Sequence, residues 1–296
     1  MKEITVAVLM TCHNRREITI KCLIAISNQT LDQGVSINVY LVDDGSTDGT
    51  AEAVHSQFPN VNLIKGDGNL YWNRGMHKAF ACAMAHGYDK YLWLNDDTVL
   101  FPQAISVLLQ DWQNIVSFSA EGHSDVVLSG AARDPVSGEF TYGGIKKTVG
   151  FREKYLHIPP QGKPIEVDAV NGNCVLIPQS VAKKVGNLDP VFLHRWGDHD
   201  YCFRAKNKGV TIWITGEYVA VCAKNPISGS WQDLNLTIIQ RIKKLHEPKG
   251  LQPGDYVVYL KRWRGWKWPL YFLSPYITIF CTAFFGRKVS DKKVKL

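Results

Sequence analysis

Apolar runs of strand length alternate with helical patterns over the first third of the chain. Residues 4–11 and 91–94 are continuous apolar runs, and residues 35–42 alternate apolar with polar positions. Residues 16–27 carry apolar side chains at helical spacing, and residues 76–86 read as an alanine-rich helix. Strands that alternate with helices of this length predict an α/β fold with a doubly wound, mostly parallel sheet.

Polar residues follow each predicted strand of this region, at residues 11–15, 43–44, 66–69 and 95–97. The carboxyl ends of parallel strands lie along one edge of a sheet, where open α/β folds bind their ligands. Asp96 and Asp97 are adjacent carboxylates, which suit a hard divalent cation that bridges a nucleotide diphosphate. The four ends together predict a nucleotide pocket, although each one taken singly also suits a turn or a helix cap. No G-x-G-x-x-G motif follows the first strand, which argues against a hydride-transfer enzyme.

The regular alternation stops after Phe101. Three strand-like segments follow, at residues 126–133, 140–145 and 166–177. A further helix is expected to begin at Asp198 and to end at Lys208-Gly209, which places Asp198 and Asp200 in its first turn. An acid in a first turn also complements the helix dipole, so the spacing alone leaves the role of these two carboxylates open.

The positive charge of the chain is confined to its C-terminal tail. Residues 245–296 hold ten Lys and Arg against three acids, which accounts for the whole net charge of +7. Residues 1–244 are neutral, which argues against a nucleic-acid partner. The seven cysteines show no C-x-x-C spacing and no disulfide pattern, so we expect a reducing, cytoplasmic compartment.

The tail also combines aromatic with basic residues, beginning with K-R-W-R-G-W-K-W at residues 261–268. Residues 268–285 only reach the minimum length for a membrane span, and they contain Pro269 and Pro275. Tryptophan and tyrosine next to lysine and arginine favour the headgroup layer of a membrane. We therefore expect an interfacial or shallow re-entrant anchor rather than a span, while packing of the tail on the body or on a partner remains an alternative.

Several motifs, taken in order, resemble glycosyltransferase family 2, whose members have the GT-A nucleotide-diphospho-sugar fold. They are M-T-C-H-N-R-R-E at residues 10–17, V-D-D-G-S-T-D-G-T at 42–50, L-N-D-D at 94–97 and G-D-H-D-Y-C-F-R at 197–204. G-D-G-N-L-Y-W-N-R-G-M at 66–76 and D-A-V-N-G-N-C-V-L-I-P at 168–178 are similar to the bacterial rhamnosyltransferase-like branch, with capsule and O-antigen enzymes. The resemblance covers residues 3–232.

The resemblance assigns a set of side chains to the nucleotide sugar, namely Thr11, His13, Arg15, Asp44, Trp72, Arg74 and Asp96. The first three would line the base and ribose side of the pocket, and Asp44 would accept hydrogen bonds from the pyrimidine or ribose. Trp72, Asn73 and Arg74 would lie along the nucleotide and its phosphates. Asp96 would face the ribose or the donor sugar.

The resemblance also implies a metal ligand and a general base. Asp97 would bind Mg²⁺ or Mn²⁺, Asp198 would act as the base and Asp200 would support it. One base opposite the leaving group implies a single displacement with inversion at the anomeric carbon. The chain departs from many relatives in two places: Gly197 stands where they carry Glu, and residues 219–225 lack the histidine that would complete the metal site.

These expectations divide the chain into a nucleotide-sugar half at residues 1–100, an acceptor half at 101–244 and a membrane-associating segment at 245–296. The implied activity is transfer of a sugar, with rhamnose as the leading candidate, from a dTDP- or UDP-sugar to a lipid-linked glycan in bacterial surface polysaccharide synthesis. The enzyme would lie in the cytoplasm, peripheral on the inner face of the cell membrane. The alternatives are a sugar nucleotidyltransferase and a non-catalytic sugar- or lipid-binding scaffold with the same fold.

Overall fold

A computed structural model describes residues 3–118, 124–148 and 155–284. In chain order its strands are β1 (Ile4–Cys12), β2 (Val35–Asp43), β3 (Asn62–Lys65), β4 (Lys90–Leu94), β5 (Val99–Leu100), β6 (Val126–Arg133), β7 (Phe140–Tyr142), β8 (Gly144–Lys147), β9 (Tyr155–Ile158), β10 (Ile165–Val167), β11 (Ala169–Val170), β12 (Cys174–Pro178) and β13 (Thr211–Val221). Its helices are α1 (Arg16–Ser27), α2 (Thr50–Gln57), α3 (Tyr71–His86), α4 (Ala104–Phe118), α5 (Gln179–Val185), α6 (Gly197–Asn207), α7 (Ile238–His246), α8 (Pro253–Arg264) and α9 (Trp268–Phe284).

The central sheet has the strand order β10-β13-β6-β12-β4-β1-β2-β3. Strands β1 to β4 are mutually parallel where they pair, and α1, α2 and α3 connect them. On the far side of β4, strand β12 runs antiparallel to both β4 and β6, while β13 runs parallel to β6. A small second sheet has the order β11-β8-β9. The predicted α/β fold with a mostly parallel sheet is confirmed.

The apolar runs form the strands because both faces of the sheet are covered. All five residues of β4 are buried, and Val6 to Met10 of β1 have no exposed surface. Continuous apolar strands of this kind are typical of parallel sheets that carry helices on both faces. One hydrophobic core cluster joins β1, β4 and β6 to helices α1 and α4. This packing fixes the carboxyl ends of β1 and β4, from which the polar residues project.

Two predicted helix starts are wrong. Helix α3 begins at Tyr71, five residues before the predicted start, because the Asp44 carboxylate accepts the backbone N–H groups of Leu70 and Tyr71. In the sequence, Ser46 or Thr47 followed by Asp48 also predicts the start of a helix, but both residues lie too early to cap α2. That helix begins at Thr50, whose N–H donates to Asp48.

Two predicted strands are interrupted. Residues 140–145 contain two strands separated by Gly143, whose φ of 155° lies outside the strand region. Residues 166–177 contain the ends of β10, β11 and β12, with residues 171–173 between the last two. Residues 171–173 are therefore not paired in a strand, and their backbone groups bind residues of other elements.

The chain forms two compact units. The first, Met1–Pro190 with Asp198–Lys224, contains both sheets and is called the sheet unit. The second, Val191–Gly197 with Asn225–Leu296, contains α7, α8 and α9 and is called the helical unit. Helix α9 covers residues 268–284 of the stretch 268–285 that was compared with a membrane span. Phe285 and the basic end lie outside the described residues. No helix in the described part of the chain has the length and apolar content needed to cross a bilayer.

Candidate active site

The polar residues predicted to share one sheet edge do meet there. Strands β1 and β2 pair in parallel up to Cys12 and Asp43, and the N–H of Asp44 donates to the Cys12 carbonyl at 2.9 Å. Strand β4 lies on the other side of β1, so its end reaches the same edge. The segments after β1, β2 and β4 are therefore close enough for their side chains to bind one another.

Arg15 joins the first segment to the acid pair after β4. Its Nη1 donates to Asp96 Oδ1 at 2.8 Å, and its Nη2 donates to Asp97 Oδ2 at 2.7 Å. The two carboxylates differ in environment, since the side chain of Asp96 is 6% exposed and that of Asp97 is 26% exposed. One guanidinium therefore neutralises part of the charge of both acids, as its planar fork allows.

Burial changes the acidity of Asp96. It raises the pKa of Asp96 to about 7, and the Arg15 guanidinium offsets part of that rise. Thr19 of α1 lies 3.5 Å from the second carboxylate oxygen through its hydroxyl. The ionised form of Asp96 at neutral pH therefore depends on Arg15 staying in contact. Asp97 is the carboxylate of the pair that is open to solvent.

Asp44 organises the loop before α3. Its Oδ1 accepts the N–H of Gly68, and its Oδ2 accepts the N–H groups of Leu70 and Tyr71, all at 2.9 Å. The side chain is buried, and it fastens the start of α3 to the end of β2. Tyr71 has a φ of 53°, which is unusual for a bulky residue and is held by this contact. The role predicted for Asp44 in binding pyrimidine or ribose stays a prediction, for which the fourth lone-pair site of the carboxylate is available.

Thr11 and His13 lie at the end of β1 in different surroundings. Thr11 is buried, and α3 passes directly over it at Gly75, where any larger residue would overlap the threonine side chain. His13 is exposed, and its Nδ1 donates to the Asp44 carbonyl at 2.6 Å. Of these two predicted nucleotide contacts, His13 is the one that presents its ring to solvent.

Trp72 connects the segment after β4 to the segment between β11 and β12. It lies in the first turn of α3, and its Nε1 donates to Asn95 Oδ1 at 2.7 Å, directly before the acid pair. On its other side the indole packs against Gly172, where a β-carbon would overlap the ring. The backbone also couples these segments, since the N–H of Asn95 donates to the Asn173 carbonyl at 3.0 Å.

The remaining predicted residues of α3 contact the segment before α6. Asn73 donates through Nδ2 to the Asp189 carbonyl at 2.8 Å, and Arg74 donates through Nε to the Pro190 carbonyl at 2.9 Å. Arg74 uses one of its five N–H donors in this contact, so the predicted contact with phosphates remains open to the others.

The two acids of α6 have different surroundings. Asp198 is half-buried; its Oδ2 accepts the N–H of Gly172 at 3.0 Å, and its Oδ1 accepts the N–H of His199 at 2.8 Å. Asp200 has no exposed surface, and its Oδ2 accepts a hydrogen bond from Nε–H of Arg204 at 2.8 Å. Arg204 also donates to two carbonyls near α5, so Asp200 positions an arginine that joins α5 to α6.

The acid pair offers carboxylate oxygens of the kind that bind a hard divalent cation. Within the residues that the structure describes, no three His, Cys, Asp or Glu side chains come together as a complete set of ligands. At the end of β13, where the sequence lacks a histidine, the Cys222 thiol lies 3.6 Å from Asp97 Oδ1. Mg²⁺ commonly binds one or two carboxylates together with water and substrate phosphates. The donor set therefore fits a cation shared with a diphosphate, held by Asp97 on the protein side.

Sequence reasoning missed several members of this arrangement. Asn95, Gly172 and Cys222 were part of the quoted motifs or of the segment without a histidine, but none was assigned a role. Asn95 and Gly172 carry no charge, and their importance comes from contacts with Trp72 that span 23 residues and more. The only local signal was the N-G-N sequence at 171–173, which is typical of a tight backbone bend.

Comparisons with known proteins agree with this arrangement. A model of the family described as Glycosyl transferase family 2 matches residues 7–168, which is more than half of the chain. No curated protein matches the chain. The solved structure of GalNAc-T7 with UDP, GalNAc and Mn²⁺ is similar, with a TM-score of 0.63 and 10% identity over 92% of this chain and 50% of that one. The mannosyltransferase PcManGT from Pyrobaculum calidifontis, in complex with GDP-Man and Mn²⁺, has a TM-score of 0.53 and 15% identity over 96% of this chain and 70% of that one.

The two structural matches support the fold alone, because both sequence identities are low. This chain spans half the length of the GalNAc-T7 chain. The family match covers the motifs at the ends of β1 to β4 and ends at residue 168, before α6. The predicted GT-A fold is confirmed by this match together with the structural neighbours. The chain belongs to glycosyl transferase family 2.

Proposed function

We propose that this protein is a nucleotide-sugar glycosyltransferase that transfers one sugar with inversion at the anomeric carbon. The observation that carries the proposal is the position of Trp72 between the two acidic motifs. Its indole binds Asn95 beside Asp96 and Asp97 on one side, and packs on Gly172, which binds Asp198, on the other. A donor site and an acceptor base on opposite sides of one aromatic ring suit a direct displacement.

Asp198 is the proposed general base. Both of its carboxylate oxygens accept a backbone N–H, which fixes the orientation of the group and leaves lone pairs for an acceptor hydroxyl. A sugar hydroxyl is a poor nucleophile, so removal of its proton during attack speeds transfer by about 10²–10⁴. Asp200 supports this role indirectly, since its ion pair with Arg204 holds the first turn of α6 in place.

Cationic groups stabilise the leaving nucleoside diphosphate. Arg15 and Arg74 lie on the donor side, and each retains N–H donors that a phosphate can accept. A divalent cation at Asp97, Mg²⁺ or Mn²⁺, would neutralise charge on the diphosphate when it is bound. The Mn²⁺ in the GalNAc-T7 and PcManGT complexes supports this assignment.

The proposed donor is a dTDP- or UDP-sugar, with dTDP-rhamnose first among them. Its support is the similarity of residues 66–76 to rhamnosyltransferase-like enzymes. UDP with GalNAc in one structural neighbour and GDP-Man in the other support the donor class. The proposed acceptor is a lipid-linked glycan of bacterial surface polysaccharide synthesis. The aromatic and basic tail supports a cytoplasmic enzyme bound to the inner face of the membrane, and the neutral charge of residues 1–244 speaks against nucleic acid.

A thermal-shift screen of the full chain tests this proposal. UDP, dTDP, GDP and CMP are each added with Mn²⁺ or with EDTA, and we expect a metal-dependent rise in melting temperature with dTDP or UDP. Asp97→Asn should remove the metal dependence. Asp32→Asn is the matched control, since it makes the same change at an exposed residue before β2, at the opposite end of that strand.

Two outcomes would contradict the proposal. The absence of a shift with any nucleotide, in protein shown to be folded, would favour the non-catalytic scaffold. A larger shift with dTTP or UTP than with the diphosphates, together with consumption of a sugar 1-phosphate, would favour the sugar nucleotidyltransferase. That class usually carries a glycine-rich, basic loop after the first strand, where this chain has T-C-H-N-R-R.

A further inference from the structure

Helix α9 presents an apolar stripe to solvent. The helix spans 17 residues and contains no charged side chain. Five of its large apolar side chains are 45% to 74% exposed: Leu270, Leu273, Ile277, Phe280 and Phe284. Their spacing alternates between three and four residues, so they lie on one side of the helix. We call this set the α9 stripe.

The opposite side of α9 is fastened to the rest of the helical unit. Arg241 of α7 donates to Thr282 Oγ1 at 2.8 Å, and His246 of α7 lies 2.7 Å from the Tyr276 hydroxyl. Tyr256 of α8 donates to the Tyr271 carbonyl at 3.1 Å, and Ile279 is fully buried. These contacts fix the rotation of the helix, so the α9 stripe faces solvent as part of the folded unit.

Basic and aromatic side chains lie beside the N-terminal end of the α9 stripe, and further basic residues follow its C-terminal end in sequence. At its N-terminal end, Lys261 lies 5.2 Å from the ring centre of Trp268, and Lys267 lies 6.0 Å from that of Trp266, which is 77% exposed. In sequence, five basic residues follow the C-terminal end: Arg287, Lys288, Lys292, Lys293 and Lys295. No acid occurs between residues 256 and 290.

We propose that α9 lies flat in the headgroup layer of an anionic bilayer, with the α9 stripe turned towards the acyl chains. The proposal rests on the proposed membrane location and names the surface and the lipid chemistry. An apolar stripe with basic residues at its ends is the pattern of an interfacial helix, in which the apolar side enters the bilayer and the cations bind anionic headgroups. The exposed Trp266 suits the boundary between the two layers.

A second copy of the chain fits the α9 stripe less well. The stripe is shorter than the three to four heptads that a stable coiled coil needs. Both ends of the stripe are basic in sequence, so two copies would bring like charges together in a parallel or an antiparallel arrangement. An anionic lipid surface meets the same charges with attraction.

Vesicle sedimentation of the full chain tests the proposal. We expect binding to vesicles of phosphatidylcholine mixed with phosphatidylglycerol, weak binding to phosphatidylcholine alone, and partial release by added salt. Ile277→Glu places a charge in the stripe and should weaken binding by about tenfold or more. Thr278→Glu is the matched control, because Thr278 is also exposed but lies about 100° around the helix from Ile277. This variant should bind vesicles like the unaltered protein.

A fluorescent label gives a second readout. Cys281 is the one exposed cysteine of the seven, and it lies on α9 beside the stripe. An environment-sensitive dye on Cys281 should shift its emission with the anionic vesicles and become protected from a water-soluble quencher. The label would report burial of α9 itself, which sedimentation does not distinguish from binding by another surface.

The proposal would be overturned if Ile277→Glu and Thr278→Glu bound anionic vesicles equally. It would also be overturned if the unaltered protein did not bind anionic vesicles. A concentration-dependent dimer that Ile277→Glu abolishes would assign the stripe to a second copy and overturn it as well. The nucleotide thermal shift is measured on the same preparations. A normal shift without vesicle binding would refute this inference alone, whereas vesicle binding without a nucleotide shift would refute the transferase.

Discussion

The sheet unit and the helical unit differ in how many large apolar side chains they expose and in where their buried charged groups lie. Fifteen large hydrophobic side chains are exposed in the described residues, and ten of them belong to the helical unit, the smaller of the two. The helical unit also buries charged groups, namely Asp233, Arg241 and Arg264, whereas the charged groups buried in the sheet unit include the acids Asp44, Asp96 and Asp200. A buried carboxylate costs several kcal/mol unless it is paired or hydrogen-bonded, and each of these three is.

The comparison indicates where each unit performs its work. In the sheet unit, the buried acids Asp44 and Asp96 directly follow strands, where they can organise chemistry at the strand ends. An apolar group that is costly to expose is held in the helical unit where a partner can cover it. Variants that alter one unit and leave the other unchanged test this comparison.

The largest expected effect is on catalysis in the sheet unit. Asp198→Asn keeps the shape of the side chain but removes the base, so kcat should fall by about 10²–10⁴. Release of nucleoside diphosphate from donor and acceptor measures the loss. The nucleotide thermal shift and the vesicle binding should both remain, and Asp32→Asn should retain full activity. Full activity in Asp198→Asn would remove this residue from the mechanism.

The next effect concerns the helical unit. Arg241 is buried, and its guanidinium donates to the Trp231 carbonyl at 2.8 Å as well as to Thr282 of α9. Arg241→Met leaves these acceptors without a donor and should cost about 2–3 kcal/mol of local stability. Faster hydrogen exchange of the α9 amides measures that loss. Lys243→Met, on the exposed side of α7, is the control.

Arg241→Met also tests whether the two units respond separately. We expect it to weaken vesicle binding, because α9 loses its fixed rotation, and to preserve the nucleotide thermal shift. Loss of the shift in this variant would show that the helical unit supports the nucleotide site, and the contrast between the units would then be too simple.

The smallest effect concerns a buried cation with no proposed role in catalysis. Lys90 of β4 places its Nζ 2.9 Å from the ring centre of Trp112, and burial lowers the pKa of Lys90 to about 7. At pH 7 and below, the folded chain carries the full cost of the buried charge. Lys90→Met should therefore stabilise the sheet unit at pH 7 by about 1–2 kcal/mol, with the attraction to the ring offsetting part of the gain.

The sign of the pH dependence follows from the lowered pKa of Lys90. Between pH 7 and the ordinary lysine value of about 10.5, the folded state releases its proton before the unfolded state does, so the stability of the unaltered protein rises. The advantage of Lys90→Met should shrink over the same range. Melting temperatures of both proteins from pH 6 to pH 10 measure the difference, and a constant difference would show that Lys90 stays charged in the fold.

Local sequence patterns predicted the parts of the structure that depend on neighbouring residues. Strand β6 and helix α1 match their predicted bounds, since apolar spacing decides both. The start of α3 was missed because its N-terminal N–H groups bind Asp44, which precedes Tyr71 by 27 residues. The same holds for the site: the acid pair was visible in sequence, whereas its contact with Arg15, 81 and 82 positions away, requires the folded sheet.

The Asp44 carboxylate makes the loop before α3 and the first turn of α3 depend on one side chain. Three amides, those of Gly68, Leu70 and Tyr71, share this one acceptor group, so none of them is held independently of the others. Rotation of a single side chain would release the loop and the first turn of α3 in one event. Trp72 follows Tyr71 directly in the chain, so the opening would carry the indole with it. One buried carboxylate therefore holds the loop at residues 66–70 and the first turn of α3 together, so the position of Trp72 depends on Asp44 as much as on its own contacts.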